Sequence, residues 1–346
     1  MLVKAYAALA ADKPLAPHHI DRKEPGAYDV AIEIHYCGIC HSDIHTVRNE
    51  WGGAIYPVVP GHEIVGIVTS VGDKVKKFKP GDYAGVGCMV DSCRSCASCT
   101  LHLEQYCEED FIGTYNSKKT DWPAPTYGGY SSSIVVDEAY VLHLPDTKNL
   151  AAVAPLLCAG ITTYSPLAHV GLKKGDRLAV VGLGGLGHMA VKIGASFGAE
   201  VTVISQSERK KEDAKRLGAA HFINATDKAQ MATVTNSFDY ILDTVANKHD
   251  ITSLSHSLKR DGTLILVGAP EHPHDLEAFS LILKRRRILG SLIGGIKETQ
   301  EMLNHCAKHQ IVSDIELIKA SQINEAYERM LKSDVRYRFV IDCKTF

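Results

Sequence analysis

The sequence predicts an α/β plus β protein: a barrel-like β domain carrying an inserted, doubly wound parallel sheet. Three observations predict it. Up to about residue 150 the chain shows short alternating strands with closely spaced turns. Beyond that point strands alternate with helical stretches around Gly182-Leu183-Gly184-Gly185-Leu186-Gly187, as βαβ units do. The tail then returns to an amphipathic helix and a strand. The expected division is 1–151 with 292–346 as one domain and 152–291 as the other. A chain of 346 residues suits two domains.

The elements follow in order. Val30 to Ile34 alternates as a half-buried strand does, and Ile64 to Val71 is a β-branched run closed by Gly72-Asp73. Lys79-Pro80-Gly81-Asp82 is a turn leading into another apolar run. Ala151 to Ala159 is small and apolar, which predicts a helix. Arg177 to Val181 reads as a buried strand, His188 to Phe197 as a helix closed by Gly198, and Glu200 to Ile204 as the next strand. Further strands are expected at 238–242, 263–267 and 288–292. Glu298 to His309 reads as an amphipathic helix and Arg338 to Asp342 as a strand.

Composition excludes several functions. A net charge of −2 leaves no basic footprint for nucleic acid. The N-terminus lacks a secretory h-region, and no apolar run is long enough to span a bilayer. A cytoplasmic location is the expectation. The run Lys284 to Arg287 reads as a solvated face or as charge on the cofactor side.

Clustered cysteines in a large chain without a signal peptide are metal ligands or catalytic groups more often than disulfides. There are ten. Cys93-x2-Cys96-x2-Cys99-x7-Cys107 places four thiolates on one short loop, enough to close a tetrahedron around a structural zinc. An iron–sulfur run would have a shorter last spacing and Cys-Pro at its end, whereas Glu108 follows Cys107.

Cys37-Gly38-Ile39-Cys40-His41-Ser42-Asp43-Ile44-His45 is open to several readings: a redox dithiol, a metal site or neither. Pro60-Gly61-His62-Glu63 favours metal, since thiolate, imidazole and carboxylate on two segments suit zinc. Cys40 and His62 are the expected ligands of a catalytic ion. Glu63 is a possible alternate ligand, and Asp43 would fix the His62 tautomer. Cys158 lies in an apolar stretch where the residues alone leave it an ordinary buried thiol.

In the glycine loop, Gly182 permits the tight turn and Gly184 lets the backbone approach a pyrophosphate. Gly187 allows helix to pack on strand. An NAD site has an acid about 20 residues on, binding the ribose 2′-hydroxyl. Here the second strand ends in Ser205, followed by Gln206-Ser207-Glu208-Arg209-Lys210. Hydroxyls and cations suit a 2′-phosphate, so NADP(H) is expected, held by Ser205, Ser207 and Lys210 or Arg209. Glu208 in the same loop argues the other way.

The phrases CGICHSDIHTVRNEWG, YPVVPGHEIVG, CRSCASCTLHLEQYC, APLLCAGITTY, GLGGLGHMAVK, VTVISQSERKK, GSLIGGIKETQEML and DVRYRFVID together resemble the zinc-dependent medium-chain alcohol dehydrogenases, within them the cinnamyl alcohol dehydrogenase branch and its bacterial NADPH-dependent aldehyde reductases. The resemblance covers essentially the whole chain. It implies a GroES-like catalytic domain from both chain ends, an inserted Rossmann domain, an active site in the cleft and a homodimer. It implies two zinc ions per chain, with Cys158 joining Cys40 and His62. Ser42 would be the hydroxyl relay, working through the cofactor ribose to His45. His41, Thr162, Gly182, Leu183, Gly184, Gly185, Leu186, Gly187, Val267 and Arg338 would lie at the cofactor. Trp51, Trp122, Ile293 and Leu292 would line an apolar pocket for an aromatic or allylic aldehyde. Gln206 departs from the serine-rich loop common in the family. The implied reaction is reversible reduction of aldehydes to primary alcohols. The rivals are an NAD-dependent alcohol or polyol dehydrogenase, and a non-catalytic dinucleotide-binding protein with one structural zinc.

Overall fold

A computed structural model describes all residues except 120, 121, 123 and 146–148. In chain order the strands are β1 (Leu2–Ala7), β2 (Ala16–Asp21), β3 (Asp29–Gly38), β4 (Ile64–Val71), β5 (Tyr83–Val86), β6 (Met89–Asp91), β7 (Ile112–Gly113), β8 (Ser133–Asp137) and β9 (Leu142–His143). They continue with β10 (Arg177–Val181), β11 (Glu200–Ser205), β12 (His221–Asn224), β13 (Phe238–Asp243), β14 (Leu258–Leu266), β15 (Arg287–Gly290), β16 (Ile315–Lys319) and β17 (Arg338–Asp342). The chain forms two compact units, Met1–Cys158 with Gly294–Phe346, and Ala159–Ile293.

In the first unit a seven-stranded sheet runs in the order β16-β17-β3-β4-β5-β9, with β8 also paired to β3. All pairings are antiparallel except β16 with β17. Long, largely buried β3 is central. Its register sets Cys37 opposite Ile64 on one side and Ile341 on the other. One end of three strands thus carries Cys40, Glu63 and Arg338, residues far apart in sequence.

The stretch expected as one helix from Ala151 to Ala159 is broken. A turn of α-helix, Leu150–Val153, passes into a 3-10 turn, Ala154–Leu157, and a new helix, Ala159–His169, begins beyond Cys158. Pro155 lacks the N–H that would continue the first helix, which leaves Cys158 at the joint with φ −129° and ψ −68°. Leu150 to Leu157 pack on β3 and β4, so they belong with the first unit. This places the division at Cys158/Ala159 and Ile293/Gly294, a few residues later than the sequence suggests.

The second unit is one parallel sheet in the order β12-β11-β10-β13-β14-β15. Strand order reverses between β10 and β13, the switch point at which open α/β sheets bind ligands beyond their carboxyl ends. Phe238, Ile241, Leu254, Leu258 and Leu264 lie in its core, each fully or almost fully buried. Side chains of this size contribute about 1.5–3 kcal/mol each when buried. Arg286 is buried here too. It donates to the Leu258, Ser280 and His256 carbonyls and to Asn236, while Arg285 pairs with Asp261. The basic run therefore is not simply a solvated face, because Arg286 ties a turn to a helix end.

Candidate metal centres and dinucleotide loop

The first centre is built around the helix His41–Val47. Cys40 caps it: the Asp43 carboxylate accepts from the Cys40 amide at 2.8 Å. That leaves Cys40 Sγ at the helix entrance. Asp43 is fully buried and also accepts from the Gly61 amide (3.1 Å) and the Tyr130 hydroxyl (3.3 Å). Its Oδ1 lies 3.2 Å from His62 Nδ1. A ring that donates Nδ1–H to a carboxylate presents Nε2 as a ligand. Burial works against charge on His62, but Asp43 holds its pKa well above the ordinary value. The ring stacks on Tyr115 at 5.7 Å.

Ligand atoms of Cys40, His62, Glu63 and Cys158 all lie within 4.8 Å of one another. The two sulfurs are 3.9 Å apart. Thiolates each about 2.3 Å from one tetrahedral ion stand about 3.8 Å apart, so the spacing fits zinc. The Cys158 thiol pulls the Cys40 pKa well below its ordinary value and is itself pushed up. Glu63 Oε2 is buried with no hydrogen-bond partner among the described residues, as an oxygen facing a cation would be. Burial lifts the Glu63 carboxyl to about 7, against the pull of Arg338.

Arg338, expected at the cofactor, is buried on β17 and donates through Nη2 to Glu63 Oε1, while its buried Nε has no partner among the described residues. A lone arginine opening an apolar strand was the only signal for this pair. Gly38 completes the arrangement, since a Cβ there would overlap Glu63 Oε2. Cys37, the other half of the apparent dithiol, is fully buried beside Gly38 and Gly61.

Ser42 and His45, one helical turn apart, share a face of the helix. His45 Nδ1 lies 2.5 Å from Glu50 Oε2, and the ring stacks on Trp51 at 4.8 Å. Sequence reasoning passed over Glu50, although an acid just past the helix end was there to be seen. Trp51, assigned to the pocket, is 57% exposed; Trp122 is half-buried in the same unit. Ile293 and Leu292 belong to the other unit. His41 is exposed at the helix start.

The second centre is local. Ligand atoms of Cys93, Cys96, Cys99 and Cys107 cluster within the same 4.8 Å limit, and Cys93 and Cys99 are 3.9 Å apart. Backbone amides point at the sulfurs: Cys96 N to Cys93 Sγ (3.3 Å), Cys99 N and Glu108 N to Cys96 Sγ (3.5 Å each), Cys93 N to Cys107 Sγ (3.4 Å). The amides of Ser95 and Cys96 bring the Cys93 thiol down to about 6. Four thiolates fill a tetrahedron, leaving no open position.

In the second unit Gly182 has φ +86° at the end of β10, and a Cβ on Gly187 would overlap the Gly182 carbonyl. A Cβ on Gly184 would meet nothing, so the loop is open where a phosphate would lie. Lys210 Nζ donates to the Leu183 carbonyl at 2.8 Å, which sets a cation on the loop. Ser205 is buried at the end of β11, its hydroxyl accepting from Ser207 N at 3.5 Å. Thr162 is buried on the helix Ala159–His169, and Val267 donates its amide to the Asp243 carbonyl. These residues fit a dinucleotide with an extra phosphate.

Two thiolates, an imidazole and a buried carboxylate, in a chain that also carries a dinucleotide loop, define a zinc-dependent dehydrogenase. The chain belongs to the zinc-binding alcohol dehydrogenases: residues 26–146 match the alcohol dehydrogenase GroES-like domain and residues 185–308 the zinc-binding dehydrogenase domain. It is 57% identical to aldehyde reductase YahK of Escherichia coli, over 100% of this chain and 99% of that protein. It is 56% identical to NADP-dependent alcohol dehydrogenase C 1 of Mycolicibacterium smegmatis, over 98% and 97%. Among solved structures, a cinnamyl alcohol dehydrogenase from Sorghum bicolor superposes with a TM-score of 0.96 at 45% identity, covering 99% of this chain and 98% of that one. The Helicobacter pylori enzyme complexed with NADP(H) gives 0.93 at 44%, covering 99% of each.

Proposed function

We propose that this protein is an NADPH-dependent reductase of aldehydes, acting reversibly on aromatic, allylic or a broad range of substrates. The observation that carries the cofactor choice is Ser205, a buried hydroxyl where an NAD site has an acid, with Lys210 on the adjoining glycine loop. The named relatives include an aldehyde reductase and an NADP-dependent dehydrogenase.

When bound, zinc supplies a Lewis acid that polarises a carbonyl, and the nicotinamide supplies hydride. The chain's residues do the rest. Cys40, His62 and Cys158 hold the metal and leave a position open, with Glu63 as alternate ligand. Asp43 fixes the His62 tautomer. Ser42 delivers a proton to the product oxygen, and His45 Nε2 takes up a proton from solvent and passes it on to Ser42. With Nδ1–H donated to Glu50, His45 keeps Nε2 for that exchange. Cys93, Cys96, Cys99 and Cys107 hold the second zinc, which stabilises their loop.

Initial rates with matched NADPH and NADH across an aldehyde and alcohol panel test the proposal. NADPH is expected to be favoured; a preference for NADH overturns the reading of Ser205.

The same proposal extends to a homodimer. β15 is an edge strand, and the neighbouring Phe279, Ile282 and Leu283 are each at least 60% exposed. Unpaired strand edges and apolar patches of this kind favour association. A cytoplasmic location suits a chain none of whose ten cysteines is in a disulfide. No single helix among the described residues is long and apolar enough to cross a membrane.

A further inference from the structure

The second unit brings together three metal-capable side chains that the reaction does not use. Asp243 ends β13, His249 follows in the next loop, and His274 lies in the loop after β14. One ligand atom from each lies within 4.8 Å of the others. The arrangement has the outer bonds that metal ligands carry. His249 Nδ1 lies 2.8 Å from the Asn247 carbonyl, so that nitrogen bears a proton and Nε2 is the atom turned toward Asp243. Asp243 Oδ1 accepts from the Val245 amide at 3.1 Å, leaving Oδ2 for another partner.

The free atoms then converge. His249 Nε2 stands 2.9 Å from Asp243 Oδ2, a spacing two ligands of one ion can share, and His274 Nδ1 is buried with no hydrogen-bond partner among the described residues. The two rings meet edge to face at 4.9 Å. Lys248 and Asp275, the chain neighbours of the two histidines, pair at 2.7 Å and hold the loops together. A buried imidazole nitrogen without a partner, as at His274, is uncommon and calls for an occupant.

We propose that Asp243, His249 and His274 form a third metal site, for a borderline divalent transition-metal ion such as zinc. Two imidazoles and one carboxylate suit that class better than the all-oxygen sites of calcium or magnesium. Three protein ligands leave room for water in the remaining positions. The ion bridges the loop after β13 to the loop after β14. Thr244, next to Asp243, donates to the Val181 carbonyl, which immediately precedes the glycine loop. Occupancy therefore stiffens the segments that flank the dinucleotide loop.

The test uses enzyme already carrying its two family zinc ions. Titration with zinc by calorimetry is expected to show one further ion per chain. Diffraction at the zinc edge is expected to place it between the three side chains, and added zinc to raise the melting temperature. His274→Ala and His249→Ala should each weaken the third ion at least about tenfold while leaving the other two. His305→Ala is the control, because His305 and His309, at the C-terminal end of the helix Ile296–Lys308, bring their rings within 4.4 Å and could hold zinc themselves. A stoichiometry that stays at two, an anomalous peak at His305, or full binding by His274→Ala overturns the proposal. Should a variant fold poorly, the wild-type anomalous map decides alone.

Discussion

At the scale of single residues, Glu63 and Arg338 depend on each other. Neither charge reaches water, and breaking such a pair costs about 3–5 kcal/mol. Arg338→Met is expected to lower stability by about that amount. It should also lower zinc content from two ions toward one, read by metal analysis beside a melting curve. Retention of both ions with normal stability would show that Glu63 does not need its cation. Gly38→Ala should act on the same carboxylate by steric overlap, with the same loss of metal. The relay has its own test. His45→Ala should reduce kcat by about 10²–10⁴-fold at unchanged zinc content, and Glu50→Gln by less. The sequence pointed to Ser42 and His45 through a motif and offered Glu50 as an acid just past the helix end, but Tyr115 carries no pattern of its own.

At the scale of elements, the loop from Cys93 to Cys107 and the glycine loop are self-contained. Cys96→Ser should release one zinc and lower the melting temperature while the other ion stays. The pH dependence of that loop has a definite sign. Cys93 is depressed to about 6, so its stabilisation is complete above the ordinary thiol range. It diminishes as pH falls from there and is gone below about 6, where chromophoric chelators should capture zinc fastest. Lys210 sits on the other loop, its pKa lowered by burial. Affinity for NADPH should therefore weaken at a lower pH than an ordinary lysine would impose, and Lys210→Met should remove that dependence without changing NADH binding. A Lys210→Met enzyme with unaltered NADPH KM would count against the 2′-phosphate contact. The Cys158 joint shows where pattern reading failed at this scale: an apolar run reads as one helix, but Pro155 divides it.

For the whole molecule, association is the testable property. Ile282→Lys together with Leu283→Lys places charge on the exposed patch beside β15. Sedimentation should shift from dimer to monomer while each chain keeps two zinc ions. An unchanged sedimentation coefficient would overturn this face as the site of association.

What the sequence by itself determined were features whose parts lie close along the chain. The four-cysteine loop is one, because its short spacings confine the thiolates to a small volume. The βαβ unit is another, since hydrophobic period and glycine placement specify strand, turn and helix locally. Tertiary structure alone decided what closes over long separations. Glu63 and Arg338 are 275 residues apart. They meet because β3 takes β4 on one side and β17 on the other in a fixed register, and that register is set by burial of whole sheet faces. No local pattern records such a choice, nor the convergence of Asp243, His249 and His274 from two separate loops.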